Sequence, residues 1–228
     1  MRKLVVLSGA GMSAESGLRT FREMGGLWEE YDVYEVASPG GWARDPELVL
    51  RFYNERRKQL LETEPNRGHF ALAELEQDFE VSIVTQNVDD LHERAGSTKV
   101  LHLHGELMKS QSTLDPSLVY DVEGWELKMG DRCEKGSQLR PHVVWFGEPV
   151  PAIEEAAMLV SEAELFVIIG TSMNVYPAAG LIHYVPATAR IFLIDPNEVS
   201  VAGYAGIRVI RKGAGEGVDE FIKLLRSE

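Results

Sequence analysis

Gly9-Ala10-Gly11 ends a short β-branched apolar run, Leu4 to Leu7, and is followed by Ser13. A run of this kind broken by glycines reads as a buried strand entering a tight turn. Ser13 is a candidate N-cap for a helix whose first turn is Ala14-Glu15-Ser16. Glycines allow close approach of the backbone to an anion, and a helix start supplies free N–H groups, so the stretch could cradle a pyrophosphate. The spacing departs from the dehydrogenase pattern, and no acid stands at the usual ribose distance. A ligand-free βα turn explains the loop alone about as well. Gln86-Asn87-Val88-Asp89 follows a second apolar run, Val81 to Thr85. Asn87 and Asp89 could hold a ribose hydroxyl and a water, or could cap a helix. His102 and His104 fall on one face of the run from Lys99. An imidazole there suits removal of a proton from a hydroxyl near neutral pH, although a strand histidine is more often a satisfied polar group.

Strands are expected near 4–7, 81–85, 99–104, 143–146, 165–169, 191–194 and 207–210, alternating with helices. That pattern implies an α/β fold with a mostly parallel, doubly wound sheet. Asp45-Pro46-Glu47 opens a helix with a cap, a proline in the first turn and an acid at the positive end; it should run to about Glu62. A second helix starts at Gly68, with His69 structural. Further helices are expected over 151–162, from Tyr176 with His183 structural, and from Gly213. Tyr53 and Arg56 share a face of the first long helix, where a surface role beside an Arg51–Glu55 pair is the plain reading. Gly170-Thr171-Ser172 and Asp195-Pro196-Asn197 are polar strand-end turns. Residues 106–139 should form a small module held by Leu107, Met108, Leu114, Leu118, Val119, Tyr120, Trp125, Leu127 and Met129. Val143 to Phe146 is an apolar β-run ending at Gly147, suited either to pairing with an extended peptide or to a plain core strand.

The chain has 228 residues, 44% of them hydrophobic and 26% charged, enough for a substantial core in one or two domains. Its formal net charge of −13 leaves no basic surplus to displace counterions from phosphates, which disfavours nucleic acid as a partner. One cysteine, Cys133, excludes an internal disulfide framework and suits a reducing compartment. The apolar run after Met1-Arg2-Lys3 stops at Leu7, too short for a signal peptide. No stretch approaches the length of a membrane span. A cytoplasmic protein that binds neither membrane nor nucleic acid is expected.

Gly9-Ala-Gly-Met-Ser-Ala-Glu-Ser-Gly17 with Phe21-Arg22, Thr85-Gln-Asn-Val-Asp89, Leu103-His104-Gly105, Arg140-Pro-His-Val-Val-Trp-Phe-Gly-Glu148 and Gly170-Thr-Ser172 occur in order. Together they resemble the motifs of the sirtuins, NAD-dependent protein-lysine deacylases, from about residue 4 to the C-terminus. The resemblance implies a Rossmann-like NAD-binding domain, residues 1–105 and 140–228, with the helical segment 45–80 contributing to a small lobe and the module 106–139 inserted. It implies NAD contacts from Gly9, Ala10, Gly11, Ser13, Glu15, Ser16, Gly17, Phe21, Arg22, Trp28, Gln86, Asn87, Val88 and Asp89. Gly170, Thr171, Ser172, Asp195, Pro196, Asn197 and Ala214 complete that set. Phe21 would shield the reacting ribose carbon from water. His104 would be the catalytic base, with Asn87 and Asp89 on the nicotinamide-ribose side. Val144, Trp145, Phe146 and Gly147 would line the tunnel for an acylated lysine of a protein substrate.

Tyr53-x-x-Arg56 matches the sirtuin-5-like branch, which removes acidic acyl groups; a guanidinium fork and a phenol are suited to a carboxylate. The implied products are free lysine, nicotinamide and 2′-O-acyl-ADP-ribose. The family usually carries two Cys-x-x-Cys pairs on zinc; Cys133 alone cannot supply them, so no zinc is expected. A monomer is expected. The alternatives are an NAD-dependent protein ADP-ribosyltransferase and a non-catalytic NAD-sensing module; His104 and Asn87 argue against the latter, because a binder needs no base.

Overall fold

A computed structural model describes residues 1–18, 31–199 and 206–227. Phe21, Arg22 and Trp28 lie outside them. The described strands are β1 (Arg2–Ser8), β2 (Phe79–Thr85), β3 (Val100–His102), β4 (Gly105–Ser112), β5 (Val119–Asp121), β6 (Leu139–Val143), β7 (Leu165–Ile169), β8 (Arg190–Ile194) and β9 (Arg208–Ile210). The described helices are α1 (Val33–Val36), α2 (Pro39–Arg44), α3 (Pro46–Leu61), α4 (Arg67–Glu74), α5 (Leu91–Arg94), α6 (Ile153–Ser161) and α7 (Ala214–Arg226). Six strands form one parallel sheet in the order β3-β2-β1-β7-β8-β9. The chain winds outward from β1 to β3, then resumes at β7 on the other side. The switch point therefore lies between the C-terminal ends of β1 and β7, where such sheets open a crevice.

Both faces of this sheet are covered, which is why its strands read as unbroken apolar runs. Leu4 and Val6 enter one core with Ala71 and Leu72 of α4 and Val218 and Phe221 of α7. Val5 and Leu7 enter the opposite core with Ala156 and Val160 of α6 and with Leu181. Period two thus sends neighbouring β1 side chains into different layers. Asp45 caps α3 by accepting from the Leu48 N–H, with Pro46 in the first turn, as its sequence requires. His69 completes a capping box on α4, accepting from the Asn66 N–H while Asn66 caps in return. Its structural role follows. The segment after Tyr176 is a 3-10 turn, Ala178–Tyr184, rather than an α-helix, and His183 is exposed.

The expected strand over 143–146 is corrected. Its strand is β6, which ends at Val143 and pairs antiparallel with β4 in a separate sheet of order β5-β4-β6. Pro141 fits there because β6 is an edge strand, where a missing N–H costs no ladder bond. Gly105 faces Val143, and a Cβ on it would lie 2.2 Å from the His142 carbonyl oxygen. The apolar core expected for residues 106–139 is also corrected. Leu107 and Leu127 are buried, but Leu114, Val119, Trp125 and Met129 are exposed. Polar ties to α3 take over. Arg57 is fully buried, donating from Nε to the Leu107 carbonyl at 2.7 Å and from Nη1 to the Trp125 carbonyl at 3.1 Å. Asn54 accepts from the Leu127 N–H and donates to its carbonyl, each at 3.0 Å. Nε and Nη1 find acceptors while the buried Nη2 finds none among the described residues, and burial lowers the guanidinium pKa to about 10.

Candidate active site

The loops after β1 and β7 pack back to back. The Gly9 N–H donates to the Ile169 carbonyl and the Gly11 N–H to the Gly170 carbonyl, both at 2.9 Å. A Cβ on Gly11 would lie 2.7 Å from Gly170 Cα, and one on Gly170 would lie 2.3 Å from the Met12 nitrogen. Only glycines permit this approach, and it opens the sheet edge into a backbone cradle. Ser13 stands at the N-cap position before Ala14–Ser16, but its side chain makes no capping bond. The chain forms two 3-10 turns, Ala10–Met12 and Ala14–Ser16, and the Ser13 hydroxyl donates instead to Asp89 Oδ2 at 2.9 Å.

That bond joins the segment after β1 to the segment after β2. Asn87 Nδ2 donates to the Gly9 carbonyl at 3.0 Å and to Ser13 Oγ at 3.2 Å. Asp89 Oδ1 also accepts from the Leu91 N–H at the start of α5, so the capping role and the cleft position coexist. Burial pushes the Asp89 carboxyl up, against the opposing bonds from Ser13 and Leu91. Gln86 reaches across to Thr171, its Nε2 donating to Thr171 Oγ1 at 3.1 Å. Gly9, Ala10, Gly11, Ser13, Gln86, Asn87, Asp89, Gly170 and Thr171 are thus brought together at the strand ends, with Ser172 exposed beside them.

Other predicted positions lie differently. Val88 turns to the core beneath α3, its carbonyl accepting from the Leu107 N–H. Ser16 Oγ accepts from Asn66 Nδ2, and Gly17 is exposed with φ +89°. Glu15 holds the N-terminus of α7, its carboxylate 3.3 Å from the Gly215 nitrogen, where the helix dipole favours an anion. Ala214 is packed in the core at the same helix end. Asp195 is buried and accepts from the Asn197 N–H at 2.8 Å; Pro196 and Asn197 are exposed.

His104 sits in the turn between β3 and β4, not on the strand expected there. Its Nδ1 lies 2.9 Å from the Gln86 carbonyl oxygen, which can only accept, so Nδ1 carries the proton and Nε2 keeps a lone pair. Burial lowers the His104 pKa, the Gln86 carbonyl opposing it, and the ring is neutral at physiological pH. The Val144 N–H donates to the His104 carbonyl at 2.9 Å, setting the 144–147 segment beside the imidazole. Phe146 and Gly147 are exposed there, while Trp145 is buried. Trp145 has Arg140 Cζ 3.5 Å from its ring centroid, and its Nε1 donates to Tyr53 Oη at 3.0 Å. Glu148 anchors this arrangement by pairing with Arg140 at 2.6 Å and accepting from the Trp145 N–H. Burial pushes the Tyr53 phenol up, so it remains a donor. Arg56, one turn on, stacks over Phe52 with Cζ 4.8 Å from the ring centroid.

A model of the Sir2 family matches residues 9–177. This chain belongs to the Sir2 family. An NAD-dependent protein deacylase of Bacteroides thetaiotaomicron is 59% identical over 230 residues, covering 99% of this chain and 98% of that protein. One from Helicobacter pylori strain 26695 is 52% identical over 225 residues, covering 99% and 98%. A Sir2 homologue solved in complex with NAD superposes with a TM-score of 0.89 at 42% identity, covering 99% of this chain and 90% of that one.

For this Sir2 chain the strand-end cradle fits NAD: glycines admit the backbone close to an anion, and Asn87, Asp89 and Ser13 cluster beside them. Zinc does not fit. Among the described residues, no group of three or more His, Cys, Asp or Glu could hold a metal ion. Sequence reasoning missed Asn66, which donates to the Met12 carbonyl at 2.8 Å and braces the glycine loop from α4. The signal was Pro65-Asn66 before a helix start. It also missed Arg57, whose place on the Leu50-Tyr53-Arg57-Leu60 stripe marks it as inward-facing.

Proposed function

We propose that this chain removes acyl groups from protein lysines in an NAD-dependent reaction, with acidic groups such as succinyl and malonyl preferred and acetyl accepted. NAD would supply the ribose carbon that takes the acyl oxygen as nicotinamide departs. The observation that carries the reading is the neutral His104 ring, fixed by Gln86, between the Gly9–Gly11 cradle and the Val144–Gly147 segment. Gly9, Gly11, Ser13, Asn87, Asp89 and Thr171 would hold the dinucleotide. His104 Nε2 would take the proton of a ribose hydroxyl. An acyl-lysine peptide would lie along Val144 to Gly147, and one cleft holding both reactants supplies the orientation. Nicotinamide release and lysine formation, measured on succinyl-lysine and acetyl-lysine peptides, test this directly. Nicotinamide release without deacylated peptide would point instead to transfer of ADP-ribose to protein.

The acyl preference rests on Tyr53 and Arg56. Arg56→Met should lower kcat/KM on a succinyl-lysine peptide by roughly 10- to 100-fold, the worth of a charge-assisted bond, and change acetyl turnover little. Equal losses on both peptides would defeat the specificity claim. We infer further that the protein carries no structural zinc, since Cys133 alone is no tetrahedral site. Metal analysis of purified protein should find far less than one equivalent. The lone thiol and NAD chemistry support a cytoplasmic setting.

A further inference from the structure

Two imidazoles hang from successive main-chain carbonyls at the end of β2. His104 takes Gln86, and His102 takes Asn87 with Nδ1 at 3.0 Å. Their second nitrogens differ. His102 Nε2 lies 2.8 Å from Glu93 Oε1 on α5, so both of its ring nitrogens face oxygens that accept. A neutral imidazole has one N–H and cannot donate twice; an imidazolium can. The His102 side chain is 8% exposed, and its charge is balanced by the Glu93 carboxylate.

We propose that Glu93 and His102 are a positioning pair for the reaction. Glu93 holds His102 as an imidazolium, and the imidazolium clamps the Asn87 carbonyl, fixing the Asn87 carboxamide against Gly9 and Ser13. The inference rests on the deacylase reading for its link to turnover. The carboxamide on the other side of Asn87 spans both strand ends, so loosening its carbonyl loosens the cradle. The titratable groups facing His102 are Glu93 on α5, Asp89 beyond Asn87, Glu106 on β4 (itself paired with Lys109) and the rings of His92 and His142, whose pKa values burial lowers. Burial alone would lower the His102 pKa; the bond to Glu93, aided by the Asn87 carbonyl and Glu106, outweighs it and the net direction is upward. The clamp is therefore complete below that raised value and weakens as pH rises through it, when one uncharged N–H must serve both the Asn87 carbonyl and the Glu93 carboxylate.

The test joins a measurement independent of turnover to a pH profile. Nitrogen-15 NMR of the histidine side chains should show both His102 nitrogens protonated at pH 7, with titration above the ordinary imidazole value. Glu93→Gln should lower that titration. In the same variant the alkaline limb of kcat/KM for NAD should move to lower pH, with a loss of about tenfold on the alkaline side, as for one charge-assisted bond. The acid limb set by His104 should stay in place. A singly protonated His102 in the wild type at pH 7, or an unmoved alkaline limb in a folded Glu93→Gln variant, overturns the proposal. If the wild type consumes no acyl peptide, the deacylase reading fails by itself. The pair is then judged by the titration and by NAD affinity in calorimetry, expected about tenfold weaker in the variant; unchanged affinity overturns it.

Discussion

His104→Ala is expected to lower formation of free lysine by about 10²- to 10⁴-fold, the usual worth of a positioned general base, while the melting temperature changes little. The side chain is half-buried and its one main-chain bond goes to Gln86, so its loss removes chemistry more than packing. The same ring sets a pH signature. Burial depresses its pKa, so the proton-accepting form persists below the pH at which a solvated imidazole would charge. Wild-type kcat/KM should hold through neutrality and fall only as the pH drops through that lowered value. A His104→Ala enzyme of undiminished rate, or an acid limb well above pH 7, would remove His104 from the mechanism.

Gly170→Ala is the second large effect. Gly170 has φ +61°, and its added Cβ would lie 2.3 Å from the Met12 nitrogen, a main-chain atom with nowhere to retreat. The left-handed conformation and the overpacking together should cost about 2–5 kcal/mol. In a chain of this size that is roughly a 10 °C drop in melting temperature. Gly17→Ala is the control. Gly17 also has positive φ, +89°, but nothing lies within 4 Å of its added Cβ. Only the conformational cost of about 1–2 kcal/mol applies there. Equal losses at both sites would mean that the back-to-back packing of the two loops is not what holds the cradle.

What was legible in advance divides by range. The runs Leu4–Leu7 and Leu165–Ile169 are apolar on both faces because helices cover both sides, and that pattern is local. The start of α3 at Asp45-Pro46 is local as well. Ser13 was legible as the residue at the turn start, but its hydroxyl goes to Asp89, 76 residues away, and no local rule weighs a distant carboxylate against a capping bond. The 143–146 strand was misplaced for a related reason: an apolar run does not say which sheet it joins, and only pairing with β4 decides it. The exposure of Leu114, Trp125 and Met129 was hidden because hydrophobicity suggested a core where Arg57 and Asn54 do the holding. His104 stood out from Leu103-His104-Gly105 by resemblance, since residue type alone left a satisfied strand histidine open. The neighbouring carbonyl that fixes its tautomer was not.

The central place of β1 constrains how the molecule is made. As the chain leaves the ribosome, β1 can acquire β2 well before Leu165–Ile169 emerges to cover its other edge. Glu15 waits longer still, for the Gly215 N–H of α7, 200 residues later. Between the emergence of β2 and that of β7 a nascent chain therefore carries a bare β-edge, the condition in which chaperones and aggregation compete. Stalling before α7 would leave the glycine loop without its brace at Gly215, so that loop is completed only once this helix has emerged.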